Sequence, residues 1–213
     1  MYKRLLKRII DIVLSSIGII VFAIPMLIVA VLIKIDSPGP VFFKQKRIGI
    51  HKTYFTIIKF RSMPISTSRD VPTNELGTDN KLTGFQKTIR KYSIDELPQL
   101  FCILTSKMSI IGPRPALWNQ YYLISERDKY GANDVKPGLT GWAQINGRDT
   151  LTDELKAKFD GEYAKQLNLG GINAFLMDVK CFFGTVVKVI KHDGVAEGGI
   201  PKVDQREREI VSR

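Results

Sequence analysis

Histidine and cysteine are nearly absent, with two of each in 213 residues. Cys102 and Cys181 stand 79 positions apart with no CxxC or Cys/His spacing. That excludes a zinc site, and nothing in the spacing supports a disulfide. Buried thiols in a reducing compartment are the expectation. His51 and His192 are equally isolated, so a histidine-based triad or metal site lacks its parts. Glycine-rich phosphate loops are missing too, because Gly112, Gly131, Gly138 and Gly141 are too sparse for a P-loop or GxGxxG. Any chemistry must come from carboxylates, Lys, Arg, Ser or Tyr. An apolar content of 44% excludes disorder and allows a core, and 17 glycines exclude a collagen-like chain.

What is present is unevenly spread. The length suits one domain, or one domain plus an anchor. The 32 Lys and Arg exceed the 21 Asp and Glu by 11. Mean hydropathy is near zero, yet residues 1–36 are mostly apolar and the rest mostly polar. Ile12 to Ile33 is 22 residues without a charge. As a helix it spans about 33 Å, enough to cross a hydrocarbon core of about 30 Å. A cleaved signal peptide fits badly, since no small-residue cleavage site follows. Lys3, Arg4, Lys7 and Arg8 precede the run, and Lys34, Lys44, Lys46, Arg47, Lys52, Lys59 and Arg61 follow it closely. A spanning helix would put one basic cluster on the wrong side. A helix that breaks at Ile24-Pro25 and returns keeps both on the anionic cytoplasmic face. A kinked single-pass helix is the alternative reading.

Ser37-Pro38-Gly39-Pro40 ends this segment. Val41–Arg47 and Tyr54–Phe60 read as a β-hairpin, and the polar stretch 62–84 as an exposed loop. Helices are expected over Phe85–Tyr92, Leu97–Leu104 and Leu117–Lys129. Leu151, Leu155, Phe159, Tyr163 and Leu167 form one stripe of a further helix. Ile172–Ile190 is apolar around much of its circumference and suits partial contact with a bilayer surface. The pattern predicts a mainly α fold with a small β-hairpin (α+β). Its parts are a membrane-inserted re-entrant helix over 1–36, a compact cytosolic domain over 37–196 and a mobile tail over 197–213.

The informative stretch is Arg90-Lys91-Tyr92-Ser93-Ile94-Asp95-Glu96-Leu97-Pro98-Gln99. Ser93-x-x-Glu96 matches a capping box, a purely structural role. Pro98 favours Asp95 as N-cap instead, which places Pro98 in the first turn. Either register sets two carboxylates at a helix N-terminus, where the dipole lowers a carboxylate pKa. An ionised Asp95 can act as a nucleophile toward a phosphoryl or glycosyl centre, and Glu96 can hold Mg²⁺ against a diphosphate. Arg90 and Lys91 could neutralise the phosphates. Arg114 is held between Pro113 and Pro115, a pre-organised backbone that suits bidentate contact to phosphate, although a rigid turn with a solvated Arg reads equally well. Lys59, Arg61 and Arg148 are further basic candidates.

Several motifs occur in order: Lys7-Arg8-x-x-Asp11, the apolar run with its Pro25, Ser37-Pro38-Gly39-Pro40-Val41-x-Phe43 and Lys59-Phe60-Arg61-Ser62-Met63. Ser93-Ile94-Asp95-Glu96-Leu97-Pro98-Gln99, Gly112-Pro113-Arg114-Pro115, Lys136-Pro137-Gly138-Leu139-Thr140-Gly141 and Asn146-Gly147-Arg148 follow. Together they resemble the bacterial sugar transferase family of small monotopic phosphoglycosyl transferases, over about residues 3–195. The resemblance implies transfer of a sugar 1-phosphate from a UDP-sugar to polyprenol (undecaprenyl) phosphate at the cytoplasmic face of the bacterial inner membrane. It implies Asp95 as nucleophile, a phosphosugar-aspartyl intermediate and release of UMP. Glu96, with Asp95, would hold Mg²⁺. Lys59, Arg90, Arg114 and Arg148 would contact phosphate or nucleotide. Implied partners are the donor, the lipid acceptor, anionic headgroups and downstream glycosyltransferases in capsule, exopolysaccharide or glycan assembly, with no nucleic acid. Two positions depart from the family pattern: Ile24 replaces the usual Ser, and Gln86 a frequent Gly. A second reading is a non-catalytic membrane-anchored basic module that docks anionic lipid or nucleic acid. It gives Asp95 and Glu96 no role, since carboxylates oppose binding a polyanion.

Topology can be tested directly. Single cysteines placed near residue 3 and near residue 45 are expected to be labelled from the same side of the membrane. Opposite-side labelling would make the segment single-pass.

Overall fold

The computed structural model describes residues 2–67, 82–147 and 150–191. Arg148, the tail expected over 197–213 and the centre of the loop expected over 62–84 lie outside the described residues.

After a π-helical turn (Tyr2–Leu6), the apolar segment forms α1 (Lys7–Val21) and α2 (Ala23–Asp36), bent by 59°. Among the described residues no single helix is long and apolar enough to cross a membrane; the bent pair passes that test together. The bend falls at Phe22 rather than at Ile24-Pro25. A proline ring collides with the carbonyl four residues back and offers no donor, so the regular ladder stops near Val21. Pro25 then sits in the first turn of α2, where an amide would be unpaired anyway.

Both ends of the pair are tied to the same body. Lys7 Nζ meets Asp178 Oδ2 at 2.6 Å. Arg8 donates to the Ile103 and Leu104 carbonyls at 2.7 and 2.8 Å. Asp11 Oδ1 accepts from Ser109 Oγ at 3.0 Å and from the Ile110 amide at 2.9 Å. At the far end, the buried Arg61 donates to the carbonyls of Ser37 (2.7 Å) and Pro38 (2.5 Å) and lies 3.4 Å from that of Ile33. A cation on these carbonyls caps the C-terminus of α2. Gln86 Nε2 donates to Asp36 Oδ2 at 3.0 Å.

The hairpin is as expected. Strand β1 (Phe42–Ile48) runs antiparallel to β2 (Tyr54–Phe60), in register from Phe42↔Phe60 to Ile48↔Tyr54. Ile57 and Phe60 are buried, and Phe60 packs against Val29 and Ile33 of α2. Helix α3 (Gly84–Lys91) starts with a true capping box between Thr83 and Gln86, so the departure at Gln86 has a structural use here. Helix α4 (Gln99–Leu104) packs on α1.

A second sheet, absent from the sequence reading, pairs β3 (Ser109–Ile111) in parallel with β4 (Gly138–Thr140). Three-residue strands are too short to show a period. The approach is close: a Cβ on Gly138 would lie 2.1 Å from the Gly112 amide nitrogen. The helix expected over Leu117–Lys129 shortens to α5 (Tyr121–Asp128). Leu117 instead pairs with Arg47 across a β-bridge, and its amide donates to Gln120 Oε1. After the single turn α6 (Trp142–Ile145), α7 (Asp153–Leu169) is capped by Thr152 and ended by Gly170 at φ 72°. Leu155, Tyr163 and Leu167 of the predicted stripe are buried; Phe159 is half-buried, and Leu151 is buried just ahead of the helix. Helix α8 (Gly171–Lys191) buries Ala174, Asp178 and Cys181 and exposes Phe175, Phe182, Phe183 and Val187. Both cysteines are free and buried, as expected.

Arg61→Met is expected to destabilise the protein by about 2–3 kcal/mol, because it strips charged hydrogen bonds from the α2 terminus. The readout is the thermal midpoint of the detergent-solubilised protein. An unchanged midpoint removes Arg61 from that joint.

Candidate active site

The chain after α3 reverses at Ser93, whose φ of 54° is left-handed, and then makes a 3-10 turn, Ile94–Glu96. Neither capping arrangement expected from the sequence forms. Ser93 makes no side-chain cap, and Asp95 lies inside the turn rather than at an N-cap. Pro98, with helical φ of −62°, precedes α4 directly. The carboxylates thus sit one turn upstream of a short helix, and tertiary contacts, not a helix end, set their state.

Glu96 is the hub. Its Oε1 accepts from Lys59 Nζ at 2.8 Å and from Arg114 Nη2 at 2.6 Å, and Oε2 lies 3.4 Å from Arg114 Nη1. The Lys59 and Glu96 side chains are 14% and 11% exposed. Lys59 comes from the end of β2, Glu96 from the turn, and Arg114 from the segment after β3. Two other arginines hold the Pro-Arg-Pro backbone. Arg127 Nη2 donates to the Arg114 carbonyl at 2.9 Å, and Arg47 Nη1 to the Pro115 carbonyl at 2.9 Å. Arg127 is itself fixed by buried Asp160 at 2.6 and 2.9 Å. The rigidity inferred from the two prolines is therefore real and reinforced.

Asp95 is buried beside Glu96, with the Ser62 hydroxyl donating to its Oδ2 at 3.3 Å. Burial raises its pKa above the usual carboxylate range; Lys59 opposes that, and the charge of Glu96 adds to it. The lowered pKa expected from a helix dipole is thus reversed. Burial likewise pushes the Lys59 ammonium down, against the pull of Glu96. It lowers Arg47 as well, with Arg114 contributing, although a guanidinium remains a cation. Arg90 acts on Asp95 through its charge, and its buried Nε has no hydrogen-bond partner among the described residues.

The structure therefore gathers Lys59, Asp95, Glu96 and Arg114, with Arg90 alongside. Arg61 is a helix cap rather than a site residue. Ser62, Arg47 and the Arg127–Asp160 pair went unassigned in the sequence. Ser62 lies within the Lys59–Met63 motif, but the other three are brought near only by folding. Among the described residues no cluster of three or more His, Cys, Asp or Glu forms a self-sufficient metal cage. Two adjacent carboxylates still fit Mg²⁺, which commonly takes one or two and fills its octahedron with phosphate oxygens and water.

A buried carboxylate pair with Lys59 and Arg114 against Glu96 is an arrangement whose cations can offset the charge of an anionic group. The chain belongs to the family described as bacterial sugar transferase, whose model matches residues 2–192. It is 37% identical over 193 residues to an uncharacterised sugar transferase, EpsL, of Bacillus subtilis, covering 91% of both chains. It is 38% identical to the UDP-glucose:undecaprenyl-phosphate glucose-1-phosphate transferase of Escherichia coli, over 87% of this chain and 40% of that protein. Against the UDP-N-acetylgalactosamine-undecaprenyl-phosphate N-acetylgalactosaminephosphotransferase of Aeromonas hydrophila the identity is 36%, over 87% and 44%. The chain thus spans nearly all of the first relative and less than half of the other two.

Because burial penalises the ionised form of Asp95, the penalty is present above its raised pKa and vanishes below the unfolded value as pH falls. Asp95→Asn is expected to raise the thermal midpoint at neutral pH, with the gain shrinking toward acid pH. An Asn variant less stable at neutral pH would show that ionised Asp95 is a net structural asset.

Proposed function

We propose that this protein is a phosphoglycosyl transferase that moves a sugar 1-phosphate from a UDP-sugar to polyprenol phosphate, with UMP as the other product. The observation that carries it is Asp95 and Glu96, buried together and met by Lys59 and Arg114, in a chain aligned almost end to end with sugar transferases. The names of the Escherichia coli and Aeromonas hydrophila relatives, both acting on undecaprenyl phosphate, support the reaction class.

In this reading an Asp95 oxygen attacks the β-phosphorus of the donor. The bond to the oxygen bridging the two phosphates breaks, and UMP leaves with that electron pair. A phosphate oxygen of the lipid then attacks the same phosphorus, and Asp95 departs as a carboxylate. Lys59 and Arg114 hold Glu96 and offset the charge of the incoming diphosphate, which a carboxylate would otherwise repel. Arg90 adds an unpaired donor beside the attacking group, and Ser62 fixes one Asp95 oxygen. Mg²⁺ bound at Glu96 and Asp95 would neutralise phosphate charge and favour ionised Asp95. Arg148 remains a proposed substrate contact.

We place the enzyme at the bacterial cytoplasmic membrane, with its site on the cytoplasmic side. Support comes from the bent apolar pair, which leaves from and returns to one body through Lys7, Arg8 and Asp11 at one end and Arg61 at the other. Initiation of capsule, exopolysaccharide or glycan assembly is the matching role, and an exopolysaccharide production protein of Rhizobium leguminosarum is 36% identical over 94% of its length. Pro115-Ala116-Leu117 and Asn119-Gln120 resemble members that work on N-acetylated deoxy-amino sugars, with galactose and glucose donors equally open, and Gln120 Oε1 here closes a turn.

Incubating the protein with Mg²⁺ and a panel of UDP-sugars, without acceptor, is expected to raise its intact mass by one sugar phosphate. Asp95→Asn should give no adduct and lower UMP release on the order of 10⁴-fold or more. No adduct and no UMP from glucose, N-acetylgalactosamine or deoxy-amino sugar donors would overturn the proposal.

A further inference from the structure

Between α1 and α8 runs a groove of about 420 Å³, within the range of about 300–1,000 Å³ typical of ligand sites. Leu14, Ile17 and Val21 wall it on one side, and Phe182 and Val186 on the other. Its polar groups include Ser93, Glu96 and Arg114 of the site, and Lys188 also lines it. Ile17, Val21, Phe182 and Val186 are all exposed, so the groove opens to the surface along both helices. Gly18, also on its wall, lets α1 pack closely on α4, since an added Cβ would come within 3.1 Å of Leu100 Cδ1.

A second observation comes from Gln144, which lines the same groove and is only 8% exposed. Among the described residues, neither its Oε1 nor its Nε2 has a hydrogen-bond partner. Buried amides without partners are rare in folded proteins, and each calls for an explanation. Gln144 stands close to the turn that leads to Arg114, since a Cβ on Gly141 would lie 3.2 Å from its Oε1 and 2.1 Å from the Gly112 carbonyl.

We infer that this groove holds the isoprenoid chain of the lipid acceptor, with the phosphate at the Glu96–Arg114 end and the Gln144 amide donating to it. The identity of the acceptor rests on the transferase reading; the location rests on the groove. An isoprenyl phosphate has one anionic head and one long apolar tail, and the groove has one charged region and apolar walls open toward the faces of the bent helix pair. A nucleotide matches poorly, because its ribose and base would leave polar edges against Ile17, Val21 and Phe182.

The test uses the full chain in nanodiscs with farnesyl phosphate and undecaprenyl phosphate as alternative acceptors. Ile17→Trp and Val186→Trp narrow the groove at exposed positions that the fold tolerates. Each is expected to lower the ratio of undecaprenyl to farnesyl transfer roughly tenfold. Ile20→Trp, on the same helix but outside the groove, should leave the ratio unchanged. An unchanged ratio in the two groove variants, or an equal shift in Ile20→Trp, would overturn the inference. A diazirine-bearing isoprenyl phosphate supplies a reading that needs no turnover. With Asp95→Asn it should label residues 14–22 and 182–189 after irradiation, and labelling confined to α2 would overturn the assignment. If no donor reacts in any variant, the transferase reading falls, while the labelling alone decides the groove.

Discussion

The geometry of the site depends on one carboxylate. Glu96 is buried where three separate pieces of chain meet: the end of the hairpin, the turn after α3 and the segment after β3. Its Oε1 takes a proton donor from each of the other two. Removing one partner of a buried pair typically costs about 3–5 kcal/mol. The Lys59–Glu96 contact falls in that class, while the more exposed Arg114 side chain contributes less through charge than through direction. Asp95 has no comparable anchor. It is held by the backbone of the turn and by Ser62, which contacts one of its two oxygens.

Around this hub, several basic residues that look alike in the sequence do quite different work. Lys7, Arg8 and Asp11 fasten the start of the apolar segment to α8, α4 and β3. Arg61 fastens its end. Arg127, backed by Asp160, and Arg47 hold consecutive carbonyls of the Pro-Arg-Pro segment. The surplus of positive charge is therefore only partly a surface property. A good share of it is spent on buried backbone carbonyls, where guanidinium forks satisfy groups that helix ends and turns leave unpaired.

The elements legible in the sequence were those with a strong local signal. The hairpin, α3, α7 and α8 followed from alternation, periodicity and their bounding turns, and the free buried cysteines from isolation. Asp95, Glu96, Lys59 and Arg114 stood out by residue type within ordered motifs, and the fold brings them together. What failed was local geometry decided by distant contacts. The capping box at Ser93 gave way to a left-handed residue and a 3-10 turn, because Glu96 is drawn to Lys59 and Arg114 instead of its own N-cap. The pKa of Asp95 went the opposite way to the dipole argument, since burial outweighs a six-residue helix that begins after it. The parallel β3–β4 pair left no trace in strands of three residues, although Gly112 and Gly138 mark the close approach in retrospect. The bend at Phe22, not at Ile24-Pro25, reflects a proline acting four residues upstream of itself.

A covalent intermediate suits this charge arrangement. Arg47, Lys59, Arg90 and Arg114 face Asp95 and Glu96, so cations outnumber carboxylates before any substrate arrives. In the proposed scheme a diphosphate donor would use up that excess, and the lipid phosphate would then meet repulsion in the same field. Departure of UMP would remove one of the two donor phosphates and restore part of the positive field, with the phosphosugar bonded to Asp95. The two anionic substrates would then use the same cations in turn rather than together. In such a scheme the donor and the lipid would never need adjacent phosphate subsites, and a single small domain would be enough to serve both.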